Sequence, residues 1–136
     1  MLTELEKYQL KLPSSPENIV KIEPLVESIR TDLSLNDEVY GNILVALTEA
    51  VNNAIIHGNR ANPEKVVDIR VVYDDKQITF TVADEGEGFD YTNLPDPTAP
   101  ENIEKPTGRG VFLMEHLSDL VVFSNGGNTV ELTFKY

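Results

Sequence analysis

The chain predicts an α+β fold, a two-layer α/β sandwich in which a mostly antiparallel, mixed sheet carries its helices on one face. Three observations predict it. Apolar residues recur at helical spacing through residues 19–29 and again through 43–55. Apolar and polar residues alternate in two runs between 67 and 82. A second alternating pair closes the chain around Asn125-Gly126-Gly127-Asn128. Helices and strands thus fall in separate runs, not in strict βαβ alternation.

The elements follow in order. Residues 8–12 alternate weakly and stop at Pro13, an opening strand. Ser14-Ser15-Pro16-Glu17 starts a helix, with a hydroxyl cap followed by proline and an acid in the first turn. Ile19, Ile22, Val26 and Ile29 continue it, and Pro24 either moves its start later or kinks it. Asn36-Asp37-Glu38 opens a second helix, long and largely buried, marked by Ile43, Leu44, Leu47, Val51, Ala54 and Ile55 and stopped at Gly58. Residues 59–64 are a polar loop. Val67, Ile69, Val71 and Tyr73 form one strand and Ile78, Phe80 and Val82 the next, joined through Asp74-Asp75-Lys76. Residues 91–107 hold four prolines and no periodicity, the signature of a functional loop or a disordered one. A short helix is expected over 110–117, then strands over 120–123 and 130–136.

Composition narrows the function classes. A length of 136 residues suits one domain spanning 1–136. The net charge of −12 argues against a direct nucleic-acid surface, which needs clustered Lys and Arg; it fits solubility or a basic protein partner. With no cysteine, disulfides and thiolate metal sites are excluded. No apolar run of membrane length is expected, and the N-terminus lacks the basic start and apolar run of a secretory signal. The cytoplasm is the expected location.

Three stretches carry chemistry. Glu49 and Asn53 lie four apart on the second helix and share a face, with His57 one turn on. Burying a carboxylate there costs several kcal/mol unless a metal-bound, charged ligand compensates. Asn53 offers a neutral oxygen suited to magnesium, which takes much of its shell from water and phosphates. Glu49 then serves as general base on a hydroxyl or water near a terminal phosphate. On the helix alone, a solvated amphipathic stripe explains the same pair. His57 is best explained as a C-terminal residue favourable to the helix dipole. Asp84 follows a strand and precedes Gly86 and Gly88. An ionised carboxylate only accepts hydrogen bonds and selects an exocyclic amine such as that of adenine, while the glycines let backbone lie against a flat ring. A plain acidic turn is the alternative. Gly108-Arg109-Gly110 leads into the later helix, where free amides make an anion site, with Arg109 and Lys105 adding positive charge. Thr129 follows the last turn, and alone is an ordinary strand hydroxyl.

The order of these stretches resembles the GHKL (Bergerat-fold) ATPases over residues 36–136. Residues 48–58, Thr-Glu-Ala-Val-Asn-Asn-Ala-Ile-Ile-His-Gly, look like the N box in the form found in anti-sigma serine kinases of the RsbW/SpoIIAB type. Asp84-Glu85-Gly86-Glu87-Gly88 looks like the G1 box, and residues 107–114, opening Thr107-Gly108-Arg109-Gly110, look like the G2 box. Gly127-Asn128-Thr129-Val130 matches the closing G-x-T strand. The resemblance implies ATP and Mg2+ as cofactors, Glu49 as the base activating an acceptor serine, Asn53 as magnesium ligand, and Asp84, supported by Thr129, on the adenine amine. It further implies Gly108 and Gly110 at the phosphates and an ATP lid at about 91–107. It implies as partners a STAS-domain anti-anti-sigma protein and a sigma factor, bound by a homodimer, with Lys21 a loose candidate for the partner surface. A second reading is an ATP-gated binding switch without kinase activity; the box residues serve either, and Glu49 favours catalysis. A detached sensor-kinase domain needs a phosphoacceptor histidine; only His57 and His116 exist, and His57 lies inside the N box.

Overall fold

The computed structural model describes residues 5–87 and 106–136. Strand β1 (Leu5–Pro13) is followed by a 3-10 segment (Pro16–Lys21), α1 (Ile22–Leu33) and α2 (Asp37–Asn53), which runs on as a π turn (Ala54–Gly58). Then come β2 (Val66–Tyr73), β3 (Gln77–Ala83), α3 (Pro106–Leu117), β4 (Leu120–Ser124) and β5 (Thr129–Lys135).

Local chemistry explains most boundaries. Pro24 lacks a backbone N–H, so it is tolerated in the first turn of α1, and the chain ahead of it tightens into 3-10 geometry. Ser34 ends α1 in the left-handed conformation (φ 54°). The Asn36 side chain accepts from the Val39 N–H at 2.8 Å, capping α2. Asp74 Oδ1 accepts from the N–H groups of Lys76 and Gln77 and closes the β2–β3 turn.

The sheet order is β1-β2-β3-β5-β4. Every pairing among the described residues is antiparallel, so the expected mixed character is not seen there. The cause is connectivity: β5 turns back from β4 and slots beside β3, leaving β4 at the edge. In β2 and β3 alternate residues are buried, so one sheet face is covered. Val67, Ile69, Val71, Ile78, Phe80, Val82, Leu132 and Phe134 meet Val26 and Ile29 of α1 and Ile43, Leu47 and Val51 of α2 in one core. Phe80 and Phe134 pack edge to face at 5.9 Å. Each such buried side chain contributes about 1.5–3 kcal/mol.

Three expectations change. Residues 37–58 are long and apolar enough to cross a membrane by length and composition, against the expected absence of such a run; Ile43, Ala46, Leu47, Ala50, Val51 and Ile55 spend that apolarity in the core. α3 begins at Pro106, not Gly110. Proline at a first helical position needs no N–H partner, so the Pro-Thr-Gly-Arg stretch opens the helix instead of leading into it. The helix opened at Asn36 leaves α geometry after Asn53. The proline-rich loop expected over 91–107 lies outside the described residues as far as 105, with 106 and 107 in α3.

Candidate functional site

The site forms where α2 ends, above the adjoining ends of β3 and β5. Glu49 and Asn53 sit one turn apart on α2, both half-buried where a deeper position was expected. α3 packs along α2 and brings Gly110 against both. A Cβ on Gly110 would lie 2.8 Å from Asn53 Nδ2 and 3.3 Å from Glu49 Oε2. Only glycine leaves room for the two side chains at this helix crossing. Asn53 Nδ2 is buried without a hydrogen-bond partner among the described residues. Such an orphan costs about 1–3 kcal/mol unless a ligand meets it.

Past Asn53 the backbone widens. The Asn59 N–H donates to Ala54 O at 2.8 Å, and the Ala61 N–H to Ile55 O at 2.7 Å. π turns of this kind recur at functional sites. His57 and Gly58 here line a cavity of about 160 Å3. Ala50, Ala54, Val82, Met114 and Val130 supply its apolar walls, and Asn53, Asp84 and Asn128 its polar groups. Apolar walls with few convergent polar groups suit a flat heterocycle.

Asp84 takes its place from the sheet. Ala83 pairs with Thr129, and the Asp84 N–H donates to Asn128 O at 2.9 Å. Its Oδ1 accepts from the Gly86 N–H at 2.7 Å. Burial raises the Asp84 carboxyl above its ordinary value, opposed by that hydrogen bond and by the Lys65 charge. Two glycines interlock this turn with the end of the π turn. A Cβ on Gly58 would collide with the Asp84 carboxylate, and one on Gly86 would come within 2.7 Å of the Gly58 carbonyl carbon.

Of the residues singled out from sequence, Glu49, Asn53, Asp84, Gly86 and Gly110 come together. Gly108 and Arg109 lie in the first turn of α3, so the amides left free at that helix start are those of residues 107–109, directly ahead of Gly110. Thr129 is on β5, its hydroxyl donating to Asn128 Oδ1 at 3.0 Å; Gly127 and Asn128, not Thr129, line the cavity. Gly88 and Lys105 lie outside the described residues.

Two residues escaped sequence reasoning. Asn128 donates from Nδ2 to Gly86 O at 3.2 Å, tying the last turn to the Asp84 turn. Asn59 is 1% exposed and spends its whole carboxamide on other segments. Its Oδ1 accepts from the Glu85 N–H at 2.7 Å, and its Nδ2 donates to Ser14 Oγ at 2.7 Å and to Val66 O at 3.2 Å. In sequence it is one polar residue in a polar loop, and no local pattern marks it.

A one-faced antiparallel sheet with a small apolar cavity at the end of its central helix, edged by the Asn53 carboxamide and the Asp84 carboxylate, defines a ligand-pocket class of α+β domain. The model of the histidine kinase-like ATPase domain matches residues 12–134, and the chain belongs to that family. The motif resemblance is thereby borne out, and so is the two-layer fold it implied. Similar proteins include a serine-protein kinase RsbW of Oceanobacillus iheyensis, 27% identical over 142 residues that cover 99% of this chain and 89% of the relative. Another RsbW, from Bacillus cereus, is 25% identical over 98% of this chain and 87% of its own. An anti-sigma F factor of Bacillus cytotoxicus is 39% identical over 98 residues, 67% of this chain and 66% of its own.

Proposed function

We propose that the chain is an ATP-dependent protein-serine kinase and anti-sigma factor, phosphorylating a STAS-domain anti-anti-sigma protein and sequestering a sigma factor. The names of relatives that align over nearly the whole chain support this reading, as does membership of an ATPase-domain family. The observation that carries it is that Gly110 of α3 lies against both Glu49 and Asn53, and Asn53 in turn lines the cavity that Asp84 borders. A protein that only bound nucleotide gains little from a carboxylate held there.

In this reading Asp84 accepts from the adenine amine while the apolar walls hold the ring. The first turn of α3 turns its free amides toward the phosphates. Asn53 would offer magnesium the neutral carboxamide oxygen that this ion accepts, while its buried, unpartnered Nδ2 suits an acceptor such as a phosphate oxygen. Bound magnesium would neutralise charge on the phosphates. Glu49, one turn behind Asn53, takes the proton of the acceptor hydroxyl as the phosphoryl group leaves ATP. Val20, strongly exposed beside Lys21 on the 3-10 segment, gives an apolar and basic shelf for a protein partner. The active form is a homodimer in the cytoplasm.

The test is incubation with labelled ATP, magnesium and the STAS protein of the same genome, followed by mass mapping of the phosphosite. Glu49→Gln keeps shape and hydrogen bonding but removes basicity. It is expected to retain ATP and sigma-factor binding while transfer falls at least about 100-fold. A wild-type chain that holds a sigma factor only with ATP, yet transfers no phosphate, would leave a binding switch in place of a kinase.

A further inference from the structure

We infer that Asn59 is a positioning residue for the nucleotide site: its carboxamide fixes where the Asp84 carboxylate lies, and through it the preference for a base bearing an exocyclic amine. The inference rests on the reading of Asp84 as the adenine contact.

The geometry is specific. Asn59 directly follows Gly58, whose α-carbon faces the Asp84 carboxylate. Glu85 directly follows Asp84 and donates its N–H to Asn59 Oδ1 at 2.7 Å. The Gly58-Asn59 and Asp84-Glu85 dipeptides are therefore clipped together by one part-buried hydrogen bond beside one tight contact. The other end of the carboxamide is anchored independently. Nδ2 donates to Ser14 Oγ, itself 0% exposed, and Ser14 Oγ donates to Lys65 O at 2.9 Å. Nδ2 also donates to Val66 O, and the Val66 N–H donates to Glu85 Oε2 at 2.6 Å. The Asp84 turn is thus strapped to the end of β1 through Asn59 and to the start of β2 through both Asn59 and Glu85.

The backbone at this point is strained. Arg60 and Ala61, neither a glycine, both hold left-handed conformations, with φ of 55° and 56°. Such conformations are unfavourable for residues with a Cβ. The π turn and this left-handed pair together carry Asn59 inward beneath the Asp84 turn. A loop with no other task than to reach β2 has no need of either.

A purely structural role for Asn59 predicts a loss of stability alone. A positioning role predicts a loss of base selectivity as well. The experiment measures the affinities of ATP and of inosine triphosphate, with magnesium, by isothermal titration. Inosine has a carbonyl oxygen where adenine has its amine, so its discrimination reports the placement of Asp84. The wild type is expected to prefer ATP, and Asn59→Ala to reduce the ATP-to-inosine ratio by about tenfold, the worth of one well-placed hydrogen bond to a charged group. Ser14→Ala removes the outer anchor but leaves the Glu85 bond, so it is expected to lower stability while keeping the ratio.

Equal wild-type affinities would overturn the reading of Asp84 and this inference with it. A discriminating wild type whose ratio survives in Asn59→Ala would overturn the inference alone. So would a Ser14→Ala variant that loses the ratio to the same extent. Should Asn59→Ala not fold, Asn59→Ser is read in the same way, and hydrogen exchange follows the Glu85 amide in the wild type. Protection of that amide is expected; exchange at the open-chain rate overturns the proposal.

Discussion

Gly110→Ala puts the helix crossing to the test with a single methyl group. The new Cβ would stand 2.8 Å from Asn53 Nδ2 and 3.3 Å from both Asn53 Oδ1 and Glu49 Oε2. Ordinary contact begins at 3.4 Å, so Nδ2 must retreat by about 0.6 Å, or α3 must lift off α2 by a similar amount. Two stability terms oppose each other. Alanine in a helix interior gains about 1 kcal/mol over glycine. Overpacking a filled contact costs about 1–3 kcal/mol. The net is a loss between zero and about 2 kcal/mol, a fall in Tm of a few degrees for a domain of this size.

Function responds more sharply. A displacement near 1 Å of a reacting group costs about 100-fold, so a shift of about 0.6 Å is expected to slow phosphoryl transfer by about 10- to 100-fold. The assay pairs single-turnover transfer from labelled ATP with a thermal melt. The expected result is a large loss of rate beside a small loss of Tm. Full transfer at unchanged Tm would refute the reasoning, because it would mean that Glu49 and Asn53 do not depend on the α2–α3 contact for their placement.

Other outcomes follow from the same geometry. Gly41, also inside a helix, has open space for 4 Å around the point where a Cβ would stand, so Gly41→Ala is expected to raise Tm by about 3–5 °C without changing transfer; a fall in Tm would show a neighbour there. Gly58→Ala drives a methyl into the Asp84 carboxylate and is expected to abolish measurable ATP binding by titration, whereas retained affinity would remove Asp84 from the site. Asp84→Asn separates stability from function. Because burial raises the folded carboxyl above its ordinary 3.8, the folded chain holds its proton more tightly than the unfolded chain. The stability this gives is complete below pH 3.8 and is lost as pH rises through the folded value. Urea unfolding across that window is expected to show the wild type losing stability with rising pH and Asp84→Asn losing less; a wild type that gains stability from this group would reverse the sign.

The sequence carried the fold because its local signals agree with one another. Period-two alternation in β2 and β3 and the Asn36 cap each act within a few residues, and each survives in the structure. The start of α3 is harder to read because Pro106, Gly108 and Gly110 all look like loop residues. Proline is at home in a first turn, and Gly110 is inside the helix for what it leaves empty. The antiparallel character of every described pairing is hidden for a different reason. It depends on β5 inserting between β3 and β4, a choice made by the whole sheet.

The site was legible only in part. Glu49, Asn53 and Asp84 each have an ordinary explanation alone and become legible through the order of the stretches that carry them. Their supports do not. Asn59 and Asn128 are polar residues next to turns, and turns are where asparagine is ordinary. What makes them unusual is long-range: Asn59 reaches Ser14 45 positions back and Glu85 26 positions on. Such a bond has no period, so no window of sequence contains it. The π turn is hidden in the same way. Residues 54–58 keep a helical apolar pattern, yet the Ala54 carbonyl accepts from five residues ahead, and the Asn59 so placed meets partners far away in sequence. The candidate site residues are therefore visible through the order of their motifs, while the residues that hold them in place exist as a set only once β1, β2 and the Asp84 turn have met.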